Sequence, residues 1–264
     1  MSFKVIIPAR YQSTRLPGKP LLDIAGKPMI QRVYEAACRS DAQEVIIATD
    51  DQRISDACKK FDAKVCMTSK THQSGTDRLH EVVQALGFSK EEVVVNVQGD
   101  EPLIAPSLIN QVANNLLLCQ WASIASLCEK ITEIESVFNP NNVKVVFDVN
   151  NEALYFSRAP IPWQRDLIKY QAQSELKHVY TISQDGINLE NYFRHIGIYA
   201  YRTDFLHQFV KWLPAKMELL ESLEQLRALA NGHRIHIAEA CEAVAPGVDT
   251  QADLEKIRKI FVKS

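Results

Sequence analysis

Through the first hundred residues, short apolar runs rich in β-branched side chains alternate with stretches whose apolar positions recur every three or four residues. The runs Phe3–Pro8, Val45–Thr49, Lys64–Met67 and Val93–Gln98 read as strands, and Met29–Arg39, Arg53–Lys60 and Asp77–Leu86 as the helices between them. Strand following helix in this way favours an α/β fold with a mostly parallel sheet and helices on both faces. The second half is less regular. Strands are expected at Ala122–Glu129, Asn142–Asp148 and Arg194–Tyr201, and helices at Glu218–Ala230 and Ala252–Val262. From about Gln164 to Glu190 the pattern is polar and weakly periodic, which at that length suggests a lid, a dimerisation arm or a mobile loop. Neither flank has linker composition and no longer repeat is visible, so residues 1–264 read as one domain.

Composition removes several function classes. With 30 basic against 32 acidic residues, neither a nucleic-acid partner nor a membrane surface is expected. Positive charge is concentrated locally instead. Between Ile6 and Pro20, Arg10, Arg15 and Lys19 share a proline-punctuated loop with no acid among them, directly behind the first strand. Ligands of open parallel sheets bind beyond the carboxyl ends of the strands, so this loop suits a small anion. Guanidinium forks and turn N–H groups can hold a polyphosphate. A solvated basic loop is the plain alternative. The stretch has no GxGxxG, and Pro20 stands where a GxxxxGK[ST] phosphate loop needs Ser or Thr.

Two aspartates add to this picture. Asp100, in QGDEP, emerges at the same sheet edge as the basic loop, where a carboxylate beside phosphates needs a cation such as Mg²⁺; a capping turn before Pro106 is the other reading. Asp249, in PGVDT, precedes the last helix and reads first as a cap, with Thr250 as competitor. Ser74, Gly75 and Thr76 offer free N–H groups to a ligand, or form an ordinary helix start. His195, in an apolar strand, reads as a core histidine. The cysteines Cys38, Cys58, Cys66, Cys119, Cys128 and Cys241 form no CxxC pair and read as reduced core thiols. Neither a signal-peptide pattern nor an apolar run near the ~18 residues of a membrane span is present, and a cytoplasmic location is expected.

The run VIIPARYQSTRLPGKPLLDIAGKPMI, followed by HQSGTDR from His72, VNVQGDEPLI from Val95, FNPNNVKVV from Phe138, YFSRAPIPW from Tyr155, RHIGIYAYR from Arg194, LEQLRAL from Leu223 and GVDT from Gly247, resembles the cytidylyltransferases that activate acidic sugars. The likeness spans nearly the whole chain. It implies a Rossmann-like, GT-A-like nucleotidyltransferase fold and Mg²⁺-dependent transfer of CMP from CTP to the anomeric hydroxyl of an acidic eight-carbon sugar. By the same resemblance Arg10, Lys19, Asp100 and Asp249 are catalytic, and the two aspartates hold the metal. Ala9, Arg10, Ser13, Arg15, Lys19, Ser74, Gly75, Thr76 and Arg78 are then expected around the nucleotide. Arg15, Gln98, His195, Tyr199, Glu224 and Gln225 are expected around the sugar, with Arg158 or Arg165 facing its carboxylate. Asp77 stands where the family most often has Glu, and the segment after Arg165 is longer than usual. The resemblance also implies a homodimer, a role for about 150–230 in sugar binding or dimerisation, and a product used in lipopolysaccharide synthesis. A different acidic sugar, or a nucleotide-binding regulator without turnover, are the competing readings.

Overall fold

The computed structural model describes residues 2–12, 16–72, 74–174, 177–182 and 186–263. The elements in chain order are β1 (Phe3–Ala9), β2 (Asp23–Ile24), β3 (Lys27–Pro28), α1 (Met29–Ala37), β4 (Glu44–Thr49), α2 (Gln52–Lys59), β5 (Lys64–Met67), α3 (Gly75–Ala85), β6 (Val93–Asn96) and α4 (Pro106–Leu118). They continue as β7 (Ile124–Lys130), α5 (Ile134–Phe138), β8 (Lys144–Phe147), β9 (Ala153–Ser157), β10 (Ile168–Ser174), β11 (Lys177–Ile182), β12 (Phe193–Arg202), α6 (Thr203–Phe209), α7 (Lys216–Glu221), α8 (Gln225–Ala230), β13 (Ile235–Glu239) and α9 (Gln251–Lys263).

The main sheet runs β13-β7-β12-β6-β1-β4-β5. Pairings of β1 with β4 and β6, of β4 with β5, and of β13 with β7 are parallel, while β12 runs antiparallel to both neighbours. The expected mostly parallel run is therefore present, with β12 reversed inside it, and β8 and β9 extend the sheet beside β12 by antiparallel pairing. Strand β1 is apolar along its length because both its faces are covered. Val5 and Ile7 pack with Ile30 and Val33 of α1, Ile54 of α2 and Ile109 of α4, while Ile6 joins Leu79 and Val82 of α3 and Phe205 of α6 on the other face. A satellite cluster of Leu16, Ile24, Met29, Val248, Leu254 and Ile257 seats α9 against the β2–β3 hairpin. That cluster fixes the two loops that carry Lys19 and Asp249.

Two local expectations are revised, and one weakly patterned stretch acquires a defined element. The single helix anticipated over Glu218–Ala230 is two, because Ser222 adopts a left-handed conformation (φ 52°, ψ 49°) between α7 and α8. The polar stretch after Gln164 contains the β10–β11 hairpin, a two-stranded sheet of its own. Its base is closed by Gln164, whose Nε2 donates to the Asn188 carbonyl (2.5 Å) and whose Oε1 accepts from the Asn188 N–H (3.1 Å). The cysteines are all free thiols, but only Cys58 and Cys128 belong to the core; burial pushes each of these up to about 12. Cys38 and Cys241 are exposed, the first just past α1 and the second in the loop after β13.

Candidate active site

Three elements remote in sequence deliver one cluster at the carboxyl edge of the sheet. Lys19 opens a short 3₁₀ turn after β1, Asp100 follows β6, and Asp249 precedes α9. The Lys19 ammonium, nearly buried, donates to Asp100 Oδ2 at 2.6 Å and to Asp249 Oδ1 at 3.1 Å. Gly18 makes that turn possible: it is left-handed (φ 67°), and its N–H donates to the Tyr11 carbonyl at 3.0 Å. Capping leaves Asp249 for Lys19. Thr250 Oγ1 accepts from the Asp253 N–H (3.2 Å) and Asp253 Oδ2 accepts from the Thr250 N–H (2.9 Å), a reciprocal pair that starts α9. Asp100 likewise turns away from α4, whose first turn has no side-chain cap.

A cleft of about 460 Å³ opens over this cluster, with Ala9, Arg10, Gly75, Gln98 and Gly99 among its walls. Gly99 is required there: a Cβ would meet the Pro8 carbonyl oxygen at 2.7 Å, so the QGD turn lies directly on the end of β1. Arg10 crosses to the far wall, where its Nη2 donates to the Ser74 carbonyl at 2.7 Å. Burial, and then the neighbouring Arg78, lower its pKa, while Asp50, Asp77 and Glu224 oppose that shift.

The Ser74 to Thr76 segment serves as a helix start and as a wall together. Ser74 Oγ accepts from the Asp77 N–H and Asp77 Oδ2 accepts from the Ser74 N–H, both at 3.1 Å, so aspartate closes the capping box as a glutamate would. Thr76 reaches the other way, its hydroxyl donating to Glu224 Oε2 at 2.6 Å. The second carboxylate oxygen of Glu224 is buried and has no partner among the described residues. Glu224 also borders an adjoining hollow of about 530 Å³, shared with Ser74, Asp77, Ser222 and Arg227. Gln225 is buried at the start of α8.

A bulge in β12 sets the remaining pair. An unbroken strand would separate residues 195 and 199 by about 13 Å. Here the register to β7 slips between Ile196 and Tyr199, and the rings of His195 and Tyr199 lie 5.3 Å apart. Ser126 holds the bulge, its Oγ lying 3.0 Å and 2.8 Å from the carbonyls of Ile196 and Ile198 and 2.9 Å from His195 Nε2. With the single hydroxyl proton spent on a carbonyl, Nε2 of a neutral imidazole must donate to Ser126. Burial drives the His195 pKa down to about 3 and the Tyr199 pKa well above its ordinary value.

Other expected residues stand apart from the cleft wall. Arg78 is fully enclosed, paired with Asp50 (3.1 Å) and Thr68, beneath the pocket rather than at its surface. Arg165 is exposed against Asp166. The Arg158 guanidinium donates to the main-chain carbonyls of Pro140, Glu221 and Ser222. Ser13 and Arg15 lie outside the described residues. Sequence reasoning missed Asp50, Thr68 and Ser126. Asp50 had a signal, an acid one residue past the end of β4; Thr68 and Ser126 had none.

The donor set fits a hard divalent cation. Two carboxylates converge on one cationic atom, Lys19 Nζ, and among the described residues no third acidic, histidine or cysteine side chain joins them. Magnesium typically takes one or two protein carboxylates and fills its shell with substrate oxygens and water. Asp100 and Asp249 are the residues that would hold it.

Residues 4–235 match the cytidylyltransferase family, and the chain belongs to it. Its relatives are narrower in kind. It is 58% identical to the 3-deoxy-manno-octulosonate cytidylyltransferase of Saccharophagus degradans, over 98% of each chain, and 57% identical to that of Vibrio vulnificus strain YJ016, over 99% of this chain and 98% of the relative. Among solved structures, a CMP:2-keto-3-deoxy-manno-octonic acid synthetase complexed with CTP superposes with a TM-score of 0.85 at 41% identity, over 100% of this chain and 99% of the other. The fold is thus the nucleotidyltransferase type expected.

Proposed function

We propose that the protein transfers CMP from CTP to the anomeric hydroxyl of 3-deoxy-manno-octulosonate, releasing pyrophosphate and forming the CMP-sugar. The observation that carries this reading is the meeting of Lys19, Asp100 and Asp249 from three separate elements at the carboxyl edge of the sheet. The sugar's C2 hydroxyl attacks the α-phosphorus, forming one P–O bond as the bond to the β-phosphate oxygen breaks; pyrophosphate departs with the electron pair and the hydroxyl proton is released to solvent. Such transfer needs little covalent help, and the protein's part is alignment and charge neutralisation. Arg10 and Lys19 face the charge that builds on the α-phosphate and the departing pyrophosphate. Magnesium, held by Asp100 and Asp249, would supply a Lewis acid at the phosphate and lower the pKa of the attacking hydroxyl. Thr76 links the nucleotide wall to Glu224, whose unpartnered oxygen suits a sugar hydroxyl. Neutral His195 and Tyr199 offer a rigid, uncharged wall beside it.

Family likeness further supports a homodimer, a cytoplasmic enzyme and a product destined for lipopolysaccharide. No helix among the described residues is long and apolar enough to cross a membrane. Pyrophosphate release with each of the four nucleoside triphosphates, with Mg²⁺ and with this sugar or its sialic-acid-like and amino-substituted relatives, tests the proposal. Release is expected with CTP and the octulosonate, and to stop when magnesium is chelated. Release with another sugar alone would replace the substrate, and CTP binding without turnover would make the chain a regulator.

A further inference from the structure

Behind the joint between α7 and α8, the side chains of Lys144, Arg158 and Glu221 tie neighbouring stretches of main chain together. Lys144, at the start of β8, is completely buried, and its ammonium donates to the carbonyls of Asn139 (3.0 Å), Asn142 (2.6 Å) and Arg158 (2.7 Å). An ammonium has three donors, so all are used. Arg158 continues the chain of contacts: Nε donates to the Glu221 carbonyl (2.7 Å), Nη1 to the Pro140 carbonyl (2.8 Å) and Nη2 to the Ser222 carbonyl (3.4 Å). Glu221 answers from α7, its Oε1 accepting from Ser157 Oγ (2.5 Å) and its Oε2 from the Arg158 N–H (2.9 Å). The end of β9 is thereby clamped to the end of α7.

The clamp ends where the site begins. Ser222 carries the left-handed turn, Leu223 follows, and Glu224 and Gln225 come next. From the other side α8 is stapled to α7 by Arg227, whose Nε and Nη2 donate to Glu218 Oε2 (2.8 Å) and Oε1 (2.5 Å). Residues 216–230 are good helix formers, and a continuous helix would be the locally cheaper structure. A left-handed serine and a buried ammonium paired only with carbonyls both carry a cost, and what they secure is the placement of Glu224.

We propose that Lys144, Arg158 and Glu221 are positioning residues for the sugar site, setting Glu224 and Gln225 through the Ser222 joint. The proposal rests on the acidic-sugar reading above. It gives Arg158 a supporting task in place of a contact with the sugar's carboxylate.

The test uses the full chain with Glu221→Gln and Lys144→Met, Glu221→Gln carrying it if Lys144→Met does not fold. In pyrophosphate release with CTP, Mg²⁺ and 3-deoxy-manno-octulosonate, the KM for the sugar is expected to rise about tenfold while the KM for CTP stays within about twofold. Amide hydrogen exchange of residues 222–227 in the substrate-free protein is expected to quicken at least about tenfold, with α3 unchanged. An unchanged sugar KM in a folded variant, or both KM values rising together with a uniform increase in exchange, would overturn the positioning role. Wild-type protein idle with this sugar would instead overturn the substrate reading, and equal exchange at 222–227 in variant and wild type would then overturn the clamp on its own.

Discussion

Replacing Thr76 with valine removes a single hydroxyl from a nearly isosteric, buried side chain and cuts its hydrogen bond from the Ser74–Thr76 wall to Glu224. Hydrogen bonds to charged groups contribute about 1.5–3 kcal/mol, and a buried acceptor left bare costs its desolvation besides. Glu224 Oε1 already lacks a partner among the described residues, so the variant would leave both oxygens of the carboxylate without one. A loss of about 2–3 kcal/mol is expected, which for a domain of this size lowers the unfolding midpoint by about 4–12 °C. Thermal unfolding of the substrate-free protein reads the stability. Steady-state pyrophosphate release reads the consequence for the site, where the sugar KM should rise more than the CTP KM because Glu224 loses its orientation. A midpoint within about 1 °C of wild type, with both KM values unchanged, would refute the argument that this bond fixes Glu224.

Two further outcomes follow from the geometry. Gly99→Ala drives a Cβ to 2.7 Å from the Pro8 carbonyl, so the QGD turn must shift; a loss of about 1–3 kcal/mol in denaturant unfolding and weaker CTP binding by calorimetry are expected. For His195 the folded pKa of about 3 lies below the ordinary 6.5, so its contribution is complete above pH 6.5. It is lost as pH falls toward 3, because the unfolded chain takes a proton that the folded one refuses. Unfolding of wild type and His195→Gln between pH 7 and 4 should therefore converge on acidification, by up to about 1.4 kcal/mol per pH unit, and parallel curves would contradict the burial argument.

Legibility of the fold tracked how local its causes are. Strands β1, β4 and β6 were readable because burial on both faces makes them continuous apolar runs. Strand β13 was not: Ile235–Glu239 is short, carries His236 and finds its partner β7 more than a hundred residues upstream. The break at Ser222 was hidden because residues 216–230 are good helix formers, and its cause lies in Arg158, beyond the end of β9, which holds the carbonyls of Glu221 and Ser222. At the site, Lys19 and Asp100 could be placed from strand ends and charge. Asp249 needed the family likeness, since before a helix it reads first as a cap; only the Thr250–Asp253 box explains why its carboxylate turns to Lys19. Ser126 carried no signal, because its role depends on a bulge in the neighbouring strand.

The most direct measurement is pyrophosphate release from CTP and 3-deoxy-manno-octulosonate by Asp100→Asn, compared with wild type at equal folded concentration in magnesium. The amide retains an oxygen for Lys19, so the fold should persist while turnover falls by at least about a hundredfold. Turnover close to wild type in that assay would contradict a site built on two aspartates and a lysine meeting at one phosphate.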